Sequence, residues 1–362
     1  MLVSILIPVR NEEMYIQRCL ESVIAFELPE GYSIETLILE GISEDATVRI
    51  LEENFRHTDI KIITNPEKIQ SAALNRGIRQ SKGEYILRLD AHSRYPVDYL
   101  KKLIATSISV EADNYGGVCI TMPGGENYGA QVVQAVTTHR FGVGNSGFRV
   151  GHKEGYCETV PFGFYRRAVF ETVGLFDERL VRSQDYEMNK RIVRSGGKIW
   201  QNPEIKIDYF NQRYFSKFIT KQFSLEGQYN AYMWFLAPYT LSFRHMITSL
   251  FVGIIISGGL LSLVIPGFLF YYLPIFILYF ACAFAASVQQ AVFYKKYWHL
   301  ITLPFCFFSF HFSHGLGTLT GLFKLLFRIA PLFPIKEPWR GAGFLRTRID
   351  KAERPFIKNR KM

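Results

Sequence analysis

The chain has 362 residues, long enough for one large domain and a further element. Of these, 48% are hydrophobic and 15% aromatic, which excludes a disordered or collagen-like chain, while 42 Lys and Arg against 32 Asp and Glu leave a formal charge of +10. That charge is local: residues 1–245 hold 29 of each sign, 246–321 hold Lys295 and Lys296, and 322–362 hold 11 basic against 3 acidic residues, so no nucleic-acid partner is expected.

In chain order, 3–9 (VSILIPV) reads as a buried strand, and 11–24 as a helix with Ile16, Leu20, Val23 and Ile24 at helical spacing. Strands follow at 34–40 (IETLILE), 60–64 (IKIIT) and 84–90 (EYILRLD), with helices through 48–55 and 71–80 between them. This alternation predicts an α/β fold with a parallel, Rossmann-like sheet, whose ligands bind at the carboxyl ends of the strands. The apolar run at the N-terminus is too short for a secretory segment and no basic residue precedes it, so the first domain is expected in the cytosol. Five cysteines, Cys19, Cys119, Cys157, Cys282 and Cys306, form no paired spacing; a reduced compartment without structural zinc is expected.

Residues 246–265 carry no charge over about 30 Å of helix, and 268–288 repeat this after Pro266-Gly267, predicting a hairpin of two membrane spans. A third segment, 298–323, contains Pro304, His311, Ser313 and His314, and reads as spanning or re-entrant. An even number of crossings places Lys295, Lys296 and the basic tail on the cytosolic side with the first domain, giving a multi-pass cell-membrane protein; 323–335 (FKLLFRIAPLFPI) reads as an interfacial stretch. His311 and His314 share one helical face and serve either interhelical hydrogen bonds or an acceptor's pyrophosphate.

Polar residues gather where the strands end: Pro8-Val9-Arg10-Asn11-Glu12, then Glu40 through Thr47, then Asp90-Ala91-His92. An acidic sheet edge suits a nucleotide whose diphosphate is held through Mg²⁺ or Mn²⁺. Asp90 and His92, two apart in an extended segment, point to one side. For Glu40 and Asp45 the alternative is capping of the next helix.

Four blocks in collinear order, ILIPVRNEE (5–13), LILEGISEDAT (37–47), SAALNRGIRQSKGEYILRLDAHSRYPVDYL (71–100) and PFGFYRRAVFETVGLFDERLVRSQDYEMNKRIVRSGGKIW (161–200), resemble family 2 glycosyltransferases of GT-A fold, in particular the succinoglycan-biosynthesis type. The resemblance covers about the first 230 residues. It implies a catalytic domain at 1–230, an interfacial linker at 231–245, membrane helices at 246–323 and a basic tail at 324–362. In such an enzyme Pro8, Val9, Asn11 and Glu12 line the nucleotide pocket with Asn75 and Arg88 nearby, and Glu40 contacts base or ribose where the family usually has Asp. Asp90-Ala91-His92 stands for the Asp-x-Asp motif, so that Asp90 contacts the sugar nucleotide and Asp90 with His92 binds the divalent cation, Mn²⁺ or Mg²⁺. Asp185 is the implied catalytic base, with Gln184 where the family has Glu. Gly163 permits close approach of the sugar, and Arg166 or Arg167 contacts phosphate or is a surface charge.

The resemblance implies an inverting, hexosyltransferase-type enzyme. It moves a single sugar from a nucleotide donor, UDP being expected, to a lipid-linked saccharide at the membrane in extracellular polysaccharide biosynthesis. The alternatives are a polyprenyl-phosphate sugar synthase, whose phosphate nucleophile needs no base, and a degenerate sugar-nucleotide-binding membrane subunit. The glycine-rich 141–151 (FGVGNSGFRVG) is either a mobile loop over the acceptor site or a plain connection. Residues 213–234 read as a surface helix presenting Arg213, Lys217 and Lys221 to lipid, or as a packed linker. They lack the Gln-x-x-Arg-Trp element of processive synthases, so single transfer is expected.

Overall fold

The computed structural model describes residues 1–151 and 153–332. In chain order the elements are β1 (Leu2–Val9), α1 (Ile16–Ile24), β2 (Ser33–Glu40), α2 (Thr47–Phe55), β3 (Ile60–Thr64), α3 (Gln70–Gln80), β4 (Tyr85–Arg88), β5 (Ser93–Arg94), α4 (Tyr99–Ser109), β6 (Asn114–Met122), α5 (Tyr128–Thr137) and α6 (Arg140–Val143). Then follow β7 (Gly155–Tyr156), β8 (Phe164–Arg166), α7 (Arg167–Val173), α8 (Gln184–Arg194), β9 (Ile199–Phe210), α9 (Phe215–Lys221), α10 (Gln228–Leu236), α11 (Phe243–Val264), α12 (Phe268–Tyr294) and α13 (His299–Leu326). Single π-helical turns occupy Gly147–Gly151 and Gln222–Gly227.

The strands form one mixed sheet of order β3-β2-β1-β4-β8-β6-β9-β5, with β7 on β9. β1, β2, β3 and β4 are parallel, as the alternation predicts; β8 against β4 and β6, and β5 and β7 against β9, are antiparallel. Val3, Ile5, Ile7 and Val9 point into one apolar cluster with Leu20 and Leu103, whereas Leu6 joins Leu74, Ile78 and Met188 in another. Burial on both faces explains why β1 is a continuous apolar run and not an alternating one. The helix expected at 11–24 starts five residues late. Backbone amides of Asn11, Glu12 and Glu13 donate to Ser43 Oγ, Thr47 Oγ1 and Asp45 Oδ2, and Asn11 takes φ 56°, which no helix accommodates.

The described residues divide into two compact units that do not follow chain order: residues 121–146 group with 211–332, although strands of the other unit flank them in sequence. Within this second unit Val132, Ala135 and Val136 pack with Ala286, Leu303 and Phe307, and Gln290 Nε2 donates to Ala135 O. Two of its helices, Phe243–Val264 and Phe268–Tyr294, are long and apolar enough to cross a membrane. Gly267, at φ 78°, makes the predicted turn between them.

The third apolar segment is one unbroken helix, α13, with Pro304 inside it. Its polar groups have partners in the helices around it: His311 Nε2 donates to Gly142 O (3.1 Å) while Nδ1 faces Tyr279 Oη (2.8 Å), and His314 Nδ1 faces Thr248 Oγ1 (2.9 Å). Interhelical bonding thus accounts for both imidazoles. The 213–234 region divides: Arg213, Lys217 and Lys221 are exposed, whereas α10 is buried over most of its length. The basic tail lies outside the described residues from 333 onward, as does the end of the 323–335 stretch.

Glycines let the helices of this unit approach closely. A Cβ on Gly317 would stand 2.4 Å from Phe223 O, and one on Gly315 would stand 2.1 Å from Thr248 O, whereas Gly253 has nothing within 4 Å. Gly317→Leu is therefore expected to lower the thermal midpoint of the protein by an amount equivalent to about 2 kcal/mol or more, with Gly253→Leu unchanged.

Candidate active site

Parallel pairing brings three strand ends to one edge, since Val9 is in register with Glu40 and Leu6 with Arg88. Several of the predicted residues there maintain the edge itself. Pro8 and the buried Val9 close β1. Asn11 Oδ1 accepts from the Glu44 amide (2.8 Å), joining the loop after β1 to the loop after β2. Both carboxylate oxygens of Glu40 accept backbone amides, from Ser43 (2.7 Å) and Ile42 (2.9 Å), so this side chain folds back on its own loop. Asp45 accepts the Thr47 amide at the start of α2, matching the capping alternative. Burial alone would raise the pKa of Asp45; hydrogen bonds from Thr47 and Glu13 outweigh it and bring it below the usual carboxylate range.

Others of the predicted set serve packing. The Asn75 amide bonds Phe176 O, the Phe176 amide and Glu178 Oε1, pinning the loop before α8. A Cβ on Gly163 would lie 2.4 Å from the Tyr165 ring and 2.5 Å from Asn114 Oδ1, so the close approach that requires glycine here is that of Tyr165. Arg167 donates to Ile78 O and Ser81 Oγ at the end of α3, and Arg166 to Tyr115 Oη.

The charged centre is built around Arg88, which is 5% exposed at the end of β4. Its Nη2 donates to Asp90 Oδ1 (2.7 Å), its Nη1 lies 3.2 Å from Asp185 Oδ2, and its guanidinium stacks over Phe162 at 5.2 Å. Phe162 itself sits at φ 48°, a conformation rare for aromatic residues. Asp90 Oδ1 also accepts from Gln70 Nε2 (3.0 Å), and the Asp90 amide donates to Tyr95 Oη (2.9 Å). Gln184 Nε2 in turn donates to Gln70 Oε1 at 2.6 Å.

Asp185 lies in the first turn of α8, and Ser183 at φ 64° sets that start. Its Oδ1 is buried and takes no hydrogen bond from any described residue. Burial raises its pKa above the usual carboxylate range, with Asp90 adding to this and Arg88 and Arg182 opposing it. His92 Nδ1 donates to Glu12 Oε1 (3.1 Å), and its Nε2 lies 3.3 Å from Tyr209 Oη and 3.9 Å from Asp90 Oδ2. Burial would lower the His92 pKa, but Tyr209, Glu12 and Asp90 raise it to about 10.

Residues 4–174 match the glycosyl transferase family 2 profile. The dolichyl N-acetyl-alpha-D-glucosaminyl phosphate 3-beta-D-2,3-diacetamido-2,3-dideoxy-beta-D-glucuronosyltransferase of Methanococcus voltae is 30% identical over 344 residues, covering 89% of this chain and 97% of that one. The chain belongs to glycosyl transferase family 2. Succinoglycan biosynthesis protein ExoA of Rhizobium meliloti (strain 1021) is 28% identical over 57% of this chain and 62% of its own. A solved mannosyltransferase of Pyrobaculum calidifontis, in complex with GDP-Man and Mn²⁺, aligns with TM-score 0.47 and 14% identity over 99% of this chain and 88% of that one.

Among the described residues of this glycosyltransferase, no three His, Cys, Asp or Glu side chains form a metal cluster. Cations that accompany nucleotides are usually held by one or two carboxylates plus substrate phosphates, and Asp90 Oδ2 is such a ligand. His92 Nε2, 3.9 Å from it, joins the coordination only once the proton that Tyr209, Glu12 and Asp90 favour has left it. Sequence reasoning missed Gln70, Tyr95 and Tyr209. Gln70 stands one residue ahead of the block at 71–100, and Tyr209 reaches His92 only because β9 pairs with β5. Arg149, from the glycine-rich 141–151, lies over the Tyr209 ring at 5.3 Å.

Proposed function

We propose that this glycosyltransferase moves a single sugar, with inversion, from a UDP-linked donor onto a hydroxyl of a lipid-linked saccharide in extracellular polysaccharide assembly. The observation that carries the reading is the convergence of Asp90 and Asp185 on Arg88, with Asp185 Oδ1 taking no hydrogen bond from any described residue. Asp185 Oδ1 takes the acceptor hydroxyl's proton as that oxygen attacks the anomeric carbon, and Arg88 fixes Oδ2 so that the carboxylate cannot turn away. The upward-shifted pKa makes Asp185 a stronger base than a surface carboxylate. Asp90 and His92 would hold the divalent cation, Mn²⁺ or Mg²⁺, which supplies positive charge to the departing diphosphate. Pro8, Val9, Asn11, Glu12 and Glu40 shape the nucleotide pocket through the two loops they join.

Relatives named for dolichyl- or undecaprenyl-phosphate-linked sugars favour a lipid-linked acceptor. A phosphate nucleophile needs no base, so a poised Asp185 favours a hydroxyl acceptor over direct polyprenyl-phosphate glycosylation. Residues 1–230 form the catalytic part on the cytosolic side, and 246–323 anchor it as a multi-pass segment. The two apolar helices support this, as do exposed Tyr297 and Trp298 beside Lys295 and Lys296, a composition suited to a bilayer interface. The test is a panel of labelled nucleotide sugars given to membranes with Mn²⁺ or Mg²⁺, following label into the lipid phase. Metal-dependent labelling of lipid-linked saccharide is expected; no labelling from any UDP-sugar overturns the donor assignment.

A further inference from the structure

We infer that Gln184 is a positioning residue for Asp90, acting through the Gln70 amide, and that this chain of bonds requires a neutral donor at 184. The inference rests on the reading of Asp90 as a donor-binding carboxylate. An ionised carboxylate only accepts hydrogen bonds. Gln70 must therefore present its Nε2 to Asp90 Oδ1, and at 3.0 Å it does. Its Oε1 is then fixed on the opposite side, where the next group must donate, and Gln184 Nε2 meets it at 2.6 Å.

Gln184 is 4% exposed, so no solvent substitutes for a mismatched group there. A carboxylate at 184 would set oxygen against oxygen across this contact. Either the contact opens, or the Gln70 amide flips and turns its own oxygen onto Asp90. The flip removes one of the two side-chain hydrogen bonds that orient Asp90 Oδ1, and the opened contact frees Gln70 from the partner that fixes it; in either case Arg88 at 2.7 Å is the orienting bond that stays secured. Gln184 directly precedes Asp185, whose Oδ2 returns to Arg88 at 3.2 Å, so the side-chain contacts Gln184–Gln70–Asp90–Arg88–Asp185 are closed into a ring by the backbone between 184 and 185. Gln184 thus acts on the donor carboxylate across the ring, not on the neighbouring Asp185.

The test is binding of UDP and of GDP, each with Mn²⁺, to the full-length detergent-solubilised protein by calorimetry. For the nucleotide that wild type binds more tightly, Gln184→Glu is expected to weaken binding roughly tenfold, and Gln184→Met, which loses the donor without adding repulsion, somewhat less. Gln70→Ala alone is expected to match Gln184→Glu, and the double variant to bind no more weakly than Gln70→Ala. This coupling is a readout that general destabilisation does not produce. Wild-type affinity in Gln184→Glu, or an undiminished penalty of Gln184→Glu in the Gln70→Ala background, overturns the relay. Asp90→Asn separates the two readings: if it loses affinity while Gln184→Glu keeps it, the relay alone fails. If Asp90→Asn binds like wild type, or if wild type binds neither nucleotide, the donor reading fails first.

Discussion

Asp185→Asn is expected to lower kcat for sugar transfer by about 10³-fold, within the range that a positioned general base contributes, while leaving the donor KM within about twofold. The amide keeps the size of the carboxylate and its contact with Arg88, but has no basic oxygen for the acceptor proton. Stability is expected to change little, because Arg88 retains Asp90 at 2.7 Å. Full transfer by this variant removes Asp185 from the mechanism. The wild-type pH profile supplies a second measure. The base works ionised, so kcat falls as pH drops through the Asp185 pKa; because burial raises that pKa, the acid limb should lie above the ordinary carboxylate range. An acid limb at or below that range argues for a different base.

Arg88→Met has the largest expected effect on stability. Arg88 holds two carboxylates, and its side chain is 6% exposed, with Asp90 at 12% and Asp185 at 31%. Methionine fills similar space but leaves both anions near each other without the guanidinium between them, and Arg182 and His92 compensate only in part. Removing one partner of a buried ionic group typically costs about 3–5 kcal/mol, much of it the penalty of the charge left behind. A clearly lower thermal midpoint is therefore expected, together with loss of transfer. Adding Asp90→Asn and Asp185→Asn to Arg88→Met should recover much of the midpoint but none of the activity. An unchanged midpoint in Arg88→Met would show that the three groups do not form an ionic unit.

Sequence pattern and structure meet where the signal is local. Val3 to Val9, Ile34 to Glu40 and Glu84 to Asp90 read as strands because apolar runs buried on both faces are distinctive over a few residues, and the structure has strands at all three, the last shortened to Tyr85–Arg88. Blocks in collinear order single out Asp90, His92 and Asp185, and the structure sets Asp90 near His92 and, through Arg88, near Asp185. Glu40, Asn75 and Gly163 carried the same kind of signal, yet the structure gives each a structural task. A motif records which residue types stand at a position, not which atoms face it.

The sequence alone therefore determined the α/β class, the family, the two long apolar helices and the position of the basic excess at the end of the chain. These depend on composition and on short-range periodicity. Tertiary structure decided the rest. It alone brings Gln70, Arg88, Asp90, Gln184 and Asp185 into one ring, because those contacts span up to 114 positions and depend on the meeting of α3, β4 and α8. It also groups residues 121–146 with the apolar helices, since an α5 face of Val132, Ala135 and Val136 identifies a buried helix but not which surface will bury it.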